Sequence, residues 1–450
     1  MLFAASLFLL GALDELAVDL TYIWLRLTGR IRTPRVREAD IAVRRLSGHW
    51  AVFIPAWQES AVIAATIRHA LQVWPQRDLR IYLGCYSNDP ATAVAALEGG
   101  EGDRRLRVIV HDIAGPTCKA DCLNRLYRAL EKDEEAGDFR VQAILLHDAE
   151  DIVDPVALPL LDAEIAHADF VQLPVLAMPQ PASPLIAGHY SDEFAEAHAR
   201  TMVVRGALGQ GIPGAGVGCA VRREWLTRLD HDRQGAGPFA TGALTEDYEL
   251  GLQLASMGAS SSFLRVRTEQ GRLVATRSHF PYTMTAVIRQ KTRWLHGIAL
   301  QGWDRLGWRG GVVAMWMQLR DRRGPLAALL LALAYTLVVV TLAELALAYF
   351  GILEPVVFSP GLRTLLLLNA AALGWRVAAR VFFTTREFGF TQGLLSIPRI
   401  VISNTVAIVA ARRALTAYVR WLRGATIGWD KTDHFSHPSV VNPAPRRRWR

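Results

Sequence analysis

The chain is poor in cysteine: Cys85, Cys118, Cys122 and Cys219 are all it has in 450 residues. That scarcity argues against a disulfide scaffold or a cysteine–histidine zinc cluster. Cys118 and Cys122 stand four apart, but packing in a reducing compartment is their expected use. Acidic residues are also in deficit, 42 Asp and Glu against 50 Lys and Arg, for a net charge of +8. Much of the excess sits in short arginine runs beside apolar segments, which suits anionic lipid headgroups and sugar diphosphates better than nucleic acid. No internal repeat or long low-complexity segment is evident, which argues against solenoids and disordered tails. Between residues 47 and 278 no apolar run is long enough to cross a bilayer.

Elsewhere apolar residues abound, and 51% of the chain is hydrophobic. A folded domain joined to membrane segments is the simplest division. Residues 2–27 are apolar but carry Asp14, Glu15 and Asp19, leaving three readings: a span, an interfacial helix or a signal peptide. The arginines that follow (Arg26, Arg30, Arg32, Arg35, Arg37) favour a positive-inside anchor over 1–30. Short β-like runs at 51–55, 80–86, 107–111, 141–147 and 170–173 alternate with helical stretches, predicting a mostly parallel α/β sheet over 47–300. In such sheets ligands sit beyond the carboxyl ends of the strands. After a linker of amphipathic or interfacial character, 301–324, the clearest span is 325–353, with Glu344 its only charge before the terminal Leu353. Residues 362–383 form a second candidate despite Arg376 and Arg380, and 394–411 read as an interfacial helix or a further span. A basic tail over 412–450 is expected in the cytoplasm.

Three motifs carry chemistry. In the first, the apolar run Ala143 to Leu146 ends abruptly at His147, then Asp148, Ala149, Glu150 and Asp151. Carboxylates crowded at a strand's end repel one another unless a hard cation such as Mg²⁺ or Mn²⁺ joins them to a diphosphate, so Asp148 and Glu150 are candidate metal ligands and Asp151 a loop cap. An ordinary acidic loop explains the same residues. In the second, Thr245, Glu246 and Asp247 open a helix. Thr245 as N-cap with acids in the first turn is the plain account, and Asp247 as a general base with Glu246 beside it is the functional one. In the third, Gln290, Arg293 and Trp294 share one helical face, where Arg293 suits a diphosphate and Trp294 a sugar face. A basic helix on a membrane surface fits equally well. A literal GxGxxG at 209–214 lies after a helix and before a strand, the wrong context for a Rossmann phosphate loop, and reads instead as a flexible acceptor-side loop.

Taken in order, these motifs resemble the processive family-2 glycosyltransferases of the cellulose and hyaluronan synthase type, which implies a GT-A catalytic domain. Pro55 to Glu59 look like the opening strand-end motif, Lys119 to Asn124 like the segment near the nucleotide, 147–151 like the DxD region, 245–247 like the base motif, and 290–294 are a literal QxxRW. A narrower likeness, to membrane glycosyltransferases of phage-adsorption type, is carried by Tyr86 to Pro90, Gln290 to Trp303 and Trp429 to His434. Such relatives often continue into a cytoplasmic domain proposed to sense a cyclic dinucleotide, an input not implied for these 450 residues.

The resemblance implies a multi-pass enzyme of the bacterial inner membrane, with a cytoplasmic catalytic domain. It would move a sugar, most simply UDP-linked, to a glycan or lipid-linked acceptor, with inversion and with Mg²⁺ or Mn²⁺. Asp247 and Glu246 are then the catalytic candidates. Glu59, Asp89, Lys119, Asn124, Asp148 and Arg293 bind the donor, Gln290 and Trp294 the acceptor, and Asp148 and Glu150 the metal. The bilayer is a partner, polysaccharide export partners are compatible, and nucleic acid is not expected. Two departures matter: Glu150 stands where the family has a second Asp, and Cys85 and Tyr86 occupy the end of the second strand, where an acid is usual and Asp89 is a shifted substitute. A catalytically silent receptor or assembly scaffold is the alternative.

Overall fold

A computed structural model of the chain describes residues 1–137, 139–354 and 357–424. The Trp429 to His434 motif and the basic residues beyond 424 lie outside the described residues. The first helix, α1 (Leu2–Leu27), precedes a seven-stranded sheet of β1 (His49–Pro55), β2 (Leu79–Tyr86), β3 (Leu106–His111), β4 (Val141–Leu146), β5 (Phe170–Gln172), β6 (Cys219–Arg222) and β7 (Ser261–Phe263). Its order is β3-β2-β1-β4-β6-β5-β7. Strands β3 to β4 are parallel, and β6 runs antiparallel between β4 and β5. The five expected strand runs fall on observed strands within two residues at each end. The short strand β7, and the pair Val175–Ala177 with Thr276–Ser278, were too brief to stand out.

Alternation along β1 explains why the sheet is buried on both faces. Trp50, Val52 and Ile54 pack into one apolar layer with α2 (Ile63–Val73), while Ala51 and Phe53 pack into the other with α4 (Lys119–Ala136). Between these helices in sequence, α3 (Pro90–Gly100) begins with Asp89 as N-cap and Pro90 in its first turn. Later elements frame the carboxyl edge: α5 (Gly188–Glu196), a π-helix Ala197–Thr201, α6 (Glu246–Ser256), α7 (Met284–Leu295), a second π-helix His296–Gln301, and α8 (Val312–Arg322).

Three C-terminal helices are long and apolar enough to cross a membrane: α9 (Gly324–Tyr349), α10 (Pro360–Phe388) and α11 (Phe390–Leu422). The acids of α1 find their partners here. Asp14 accepts from Trp316 (2.5 Å) and pairs with Arg320 and Arg323. Glu15 meets Arg200 (2.7 Å) and Arg320 (2.9 Å), and Asp19 meets Arg200 and accepts from Trp375 (2.7 Å). Carboxylates that are unusual in a lipid-facing helix are thereby matched by arginines from the domain, α8 and the α8–α9 junction, with Arg376 of α10 also within reach of Glu15. Helix α11 is tied to the domain at two distant points. Arg399 pairs with Asp192 of α5, both fully buried, and Tyr418 donates to Asp304 while its ring meets His296. Those points are about 28 Å apart along the helix, so α11 packs along the domain over that stretch.

Candidate active site

The carboxyl ends of β1, β2 and β4 open into one cavity of about 470 Å³. Beyond β4, buried Asp151 accepts from the Asp148 amide (3.0 Å) and meets His147 Nδ1 (2.8 Å), so it pins the turn. Asp148, Glu150 and Asp151 all line the cavity. Lys119 opens α4 and places its Nζ 2.5 Å from Asp148 Oδ1.

The second acidic motif reaches the same place from the far side. Glu246 and Asp247 form the first turn of α6, and both line the cavity. Thr245 is the N-cap residue, but its hydroxyl makes no cap hydrogen bond and has no partner among the described residues. Asp247 Oδ1 accepts its neighbour Tyr248's amide (2.8 Å). Gly216 lies against this carboxylate: a Cβ there would stand 2.5 Å from Asp247 Oδ2 and 3.2 Å from Lys119 Nζ. The GxGxxG segment is not the flexible loop expected. Ile212 is buried, and a Cβ on Gly214 would stand 2.5 Å from the Asp247 carbonyl, so the loop packs against α6 as a fixed wall.

Helix α7 supplies Gln290, Arg293 and Trp294 to the cavity. Gln290 accepts from the Tyr190 hydroxyl (2.6 Å), and Trp294 packs edge-on against Tyr190, Phe194 and Phe280 at 6.0–6.3 Å. Just past α7, Gln301 in the second π-helix accepts from Leu244 (2.9 Å) and donates to Gly242 (2.9 Å), tethering the turn that leads into Glu246.

Charge is balanced tightly. Burial alone would lower Lys119, yet Asp148, Glu246 and Asp247 hold its ammonium above its ordinary value. Burial, and then Asp247, raise Glu246 to about 7, with Lys119 and Arg293 pulling the other way. Burial raises Asp247 too, against the pull of Lys119. One ammonium thus sits among three carboxylates, with Arg293 close enough to be felt by two of them.

Residues 48–297 match the model described as Glycosyltransferase like family 2. The chain belongs to this family. It is 31% identical, over 97% of its own length, to the bacteriophage adsorption protein B of Escherichia coli strain K12 and to the bacteriophage N4 adsorption protein B of Escherichia coli O157:H7. The chain spans 62% of the length of those relatives. The mannosyltransferase PcManGT from Pyrobaculum calidifontis, solved in complex with GDP-Man and Mn²⁺, shares the fold at a TM-score of 0.56 and 17% identity, over 92% of this chain and 97% of that one.

Within this family-2 domain the cavity gathers Glu59, Lys119, Asp148, Glu150, Glu246, Asp247, Gln290, Arg293 and Trp294. Two expected donor residues stand elsewhere. Asp89 caps α3 and accepts from the Gln58 amide (2.6 Å), because the following Pro90 starts a helix whose free amides it satisfies. Asn124, more than a turn into α4, bonds the Phe239 amide and carbonyl (both 2.9 Å) and positions the loop before Thr245. Other residues stand at or beside the cavity without an expected role. Trp57 and Tyr86, 5.1 Å apart and edge to face, line the cavity at the ends of β1 and β2, where an acid was looked for. Tyr190, Phe194 and Phe280 back the QxxRW face. Trp57 and Tyr86 lay inside quoted motifs, so their aromatic character was the available signal; for the others the sequence offered none.

Proposed function

We propose that this chain is a membrane-bound, inverting glycosyltransferase that moves a sugar from a nucleotide-sugar donor, most simply UDP-linked, to a growing polysaccharide or lipid-linked acceptor. The observation that carries it is the convergence of Lys119, Asp148, Glu246, Asp247 and Arg293 on one cavity at the carboxyl end of a family-2 sheet. The half-buried Trp57 ring, backed by the buried Tyr86, suits the flat face of a nucleobase. Lys119 and Arg293 offset charge on the leaving diphosphate. Asp247 accepts the acceptor hydroxyl's proton as that oxygen bonds to the anomeric carbon and the bond from carbon to the diphosphate oxygen breaks. A single displacement from the opposite face inverts the centre. Trp294 and Gln290 form the acceptor rim.

Hard oxygen donors at Asp148 and Glu150 fit Mg²⁺ or Mn²⁺, the latter being present in the solved mannosyltransferase. Such an ion supplies charge neutralisation at the diphosphate when bound. The Lys119–Asp148 contact holds that carboxylate at the cavity wall. The apolar helices favour an inner-membrane enzyme with this domain in the cytoplasm. A silent receptor or scaffold reading rests on the relatives' naming for phage adsorption.

Nucleotide release by the detergent-solubilised protein tests the proposal, across UDP-, GDP- and TDP-sugars with Mg²⁺ or Mn²⁺ and membrane extract as acceptor. Metal-dependent release from one donor class supports the transferase. Silence with every donor moves the reading to the scaffold.

A further inference from the structure

A second cavity, of about 210 Å³, opens where the end of α1 meets the folded domain. Four of its lining residues are arginines, Arg26, Arg30, Arg32 and Arg265, and none is acidic. Arg265 is only 6% exposed. Its Nε donates to the His198 carbonyl (3.3 Å) and its Nη2 to Glu387 (2.8 Å), but Nη1 has no hydrogen-bond partner among the described residues. A buried guanidinium N–H left unpaired is costly, so the site is built for an acceptor that the protein itself does not provide. Among the described residues Arg26 bonds only the neutral Tyr22 and Thr33 hydroxyls (3.2 and 3.1 Å). Arg30 lies over the Trp24 ring (4.5 Å), and no ion pair engages either Arg30 or Arg32 among the described residues.

Beside these guanidinium groups runs an exposed apolar row. Leu20, Ile23, Trp24 and Leu27, spaced to share one face of α1, are 57, 40, 46 and 83% exposed. A free anion has no use for such a row, whereas the acyl chains of a lipid do. We propose that this cavity binds the phosphate of an anionic membrane lipid, with Arg265 and Arg26 as its floor, Arg30 and Arg32 closing over it, and the apolar row of α1 against the chains. Phe263 lines both this cavity and the carboxylate-bearing one, which places the headgroup directly behind the wall of the latter.

The test uses the full chain in neutral detergent micelles, titrated with phosphatidylglycerol, phosphatidylcholine or inorganic phosphate and read by native mass spectrometry. Phosphatidylglycerol is expected to bind preferentially. The Arg30→Gln/Arg32→Gln variant, altered only at exposed positions, is expected to weaken that binding roughly 30-fold, at about 1 kcal/mol per arginine. Arg44→Gln/Arg45→Gln, which removes exposed arginines outside the cavity, should change it by less than about 3-fold. Arg265→Lys, which keeps the charge but loses the fork, should fall between. Equal affinity in the wild type and the Arg30/Arg32 variant overturns the site, as does equal loss in the Arg44/Arg45 control. Phosphatidylcholine binding as well as phosphatidylglycerol, or inorganic phosphate competing at the lipid's own concentration, overturns the anionic-lipid assignment.

Discussion

Gly216 sits at φ +77° with no side chain between the backbone and the Asp247 carboxylate. Substitution by alanine acts twice. The left-handed backbone costs an L-residue about 1–2 kcal/mol, which should lower the melting temperature by roughly 2 to 8 °C. The new Cβ, 2.5 Å from Asp247 Oδ2 where ordinary contact begins at 3.4 Å, forces the carboxylate to move by nearly an ångström. A displacement of that size in a reacting group costs on the order of 100-fold in rate. Gly209→Ala separates the two effects, for Gly209 has φ +66° and nothing within 4 Å of its Cβ. Both variants should lose similar stability by thermal unfolding in detergent, and only Gly216→Ala should lose nucleotide release. If Gly216→Ala turns over within a few-fold of Gly209→Ala, the close approach to Asp247 has no catalytic meaning and the argument fails.

Activity should fall on the acid side near neutrality, because Glu246 is raised to about 7 and Asp247 is raised with it. Glu246→Gln removes one negative neighbour and should move that limb to lower pH, whereas an unmoved pH–rate limb would show that the pair does not govern it. Stability runs the opposite way: folded Glu246 holds a proton between the ordinary 4.5 and about 7, so its contribution to stability declines as pH rises through that window. Trp57→Ala should raise the donor dissociation constant by roughly 5- to 150-fold, from about 1–3 kcal/mol of lost base stacking, with little change in kcat; calorimetric titration with the nucleoside diphosphate reads it. Breaking the buried Arg399–Asp192 pair by Arg399→Leu should cost about 3–5 kcal/mol by removing the ion-pair partner of a buried carboxylate. Adding Asp192→Leu should recover part of that loss in thermal unfolding.

Much of the sheet was legible in the sequence because buried parallel strands read as unbroken apolar runs, and 141–146 ends in carboxylates where the chain leaves the sheet. Lys119, Asp148, Asp247 and Arg293 were readable as residue types in order, but their meeting around one ammonium comes only from the packing of α4, α6 and α7 on a common edge. Gly216 lies against Asp247 and Lys119, and Tyr190 against Gln290 and Trp294, from distant parts of the chain, and no local pattern marks them. Asp89 and Asn124 fall outside the cavity lining, because backbone capping and loop support use the same polar side chains as ligand binding. The acids of α1 looked out of keeping with an apolar helix until Arg200, Arg320 and Arg323 came to meet them.

Asp247→Asn in the nucleotide-release assay, with donor binding measured in parallel, bears most directly on the central claim. It keeps the side chain's shape and removes its basicity. The account predicts release lower by about 10² to 10⁴-fold, the usual range for a general base, with donor affinity nearly unchanged. Release at the wild-type rate by the variant would contradict Asp247 as the group that takes the acceptor's proton.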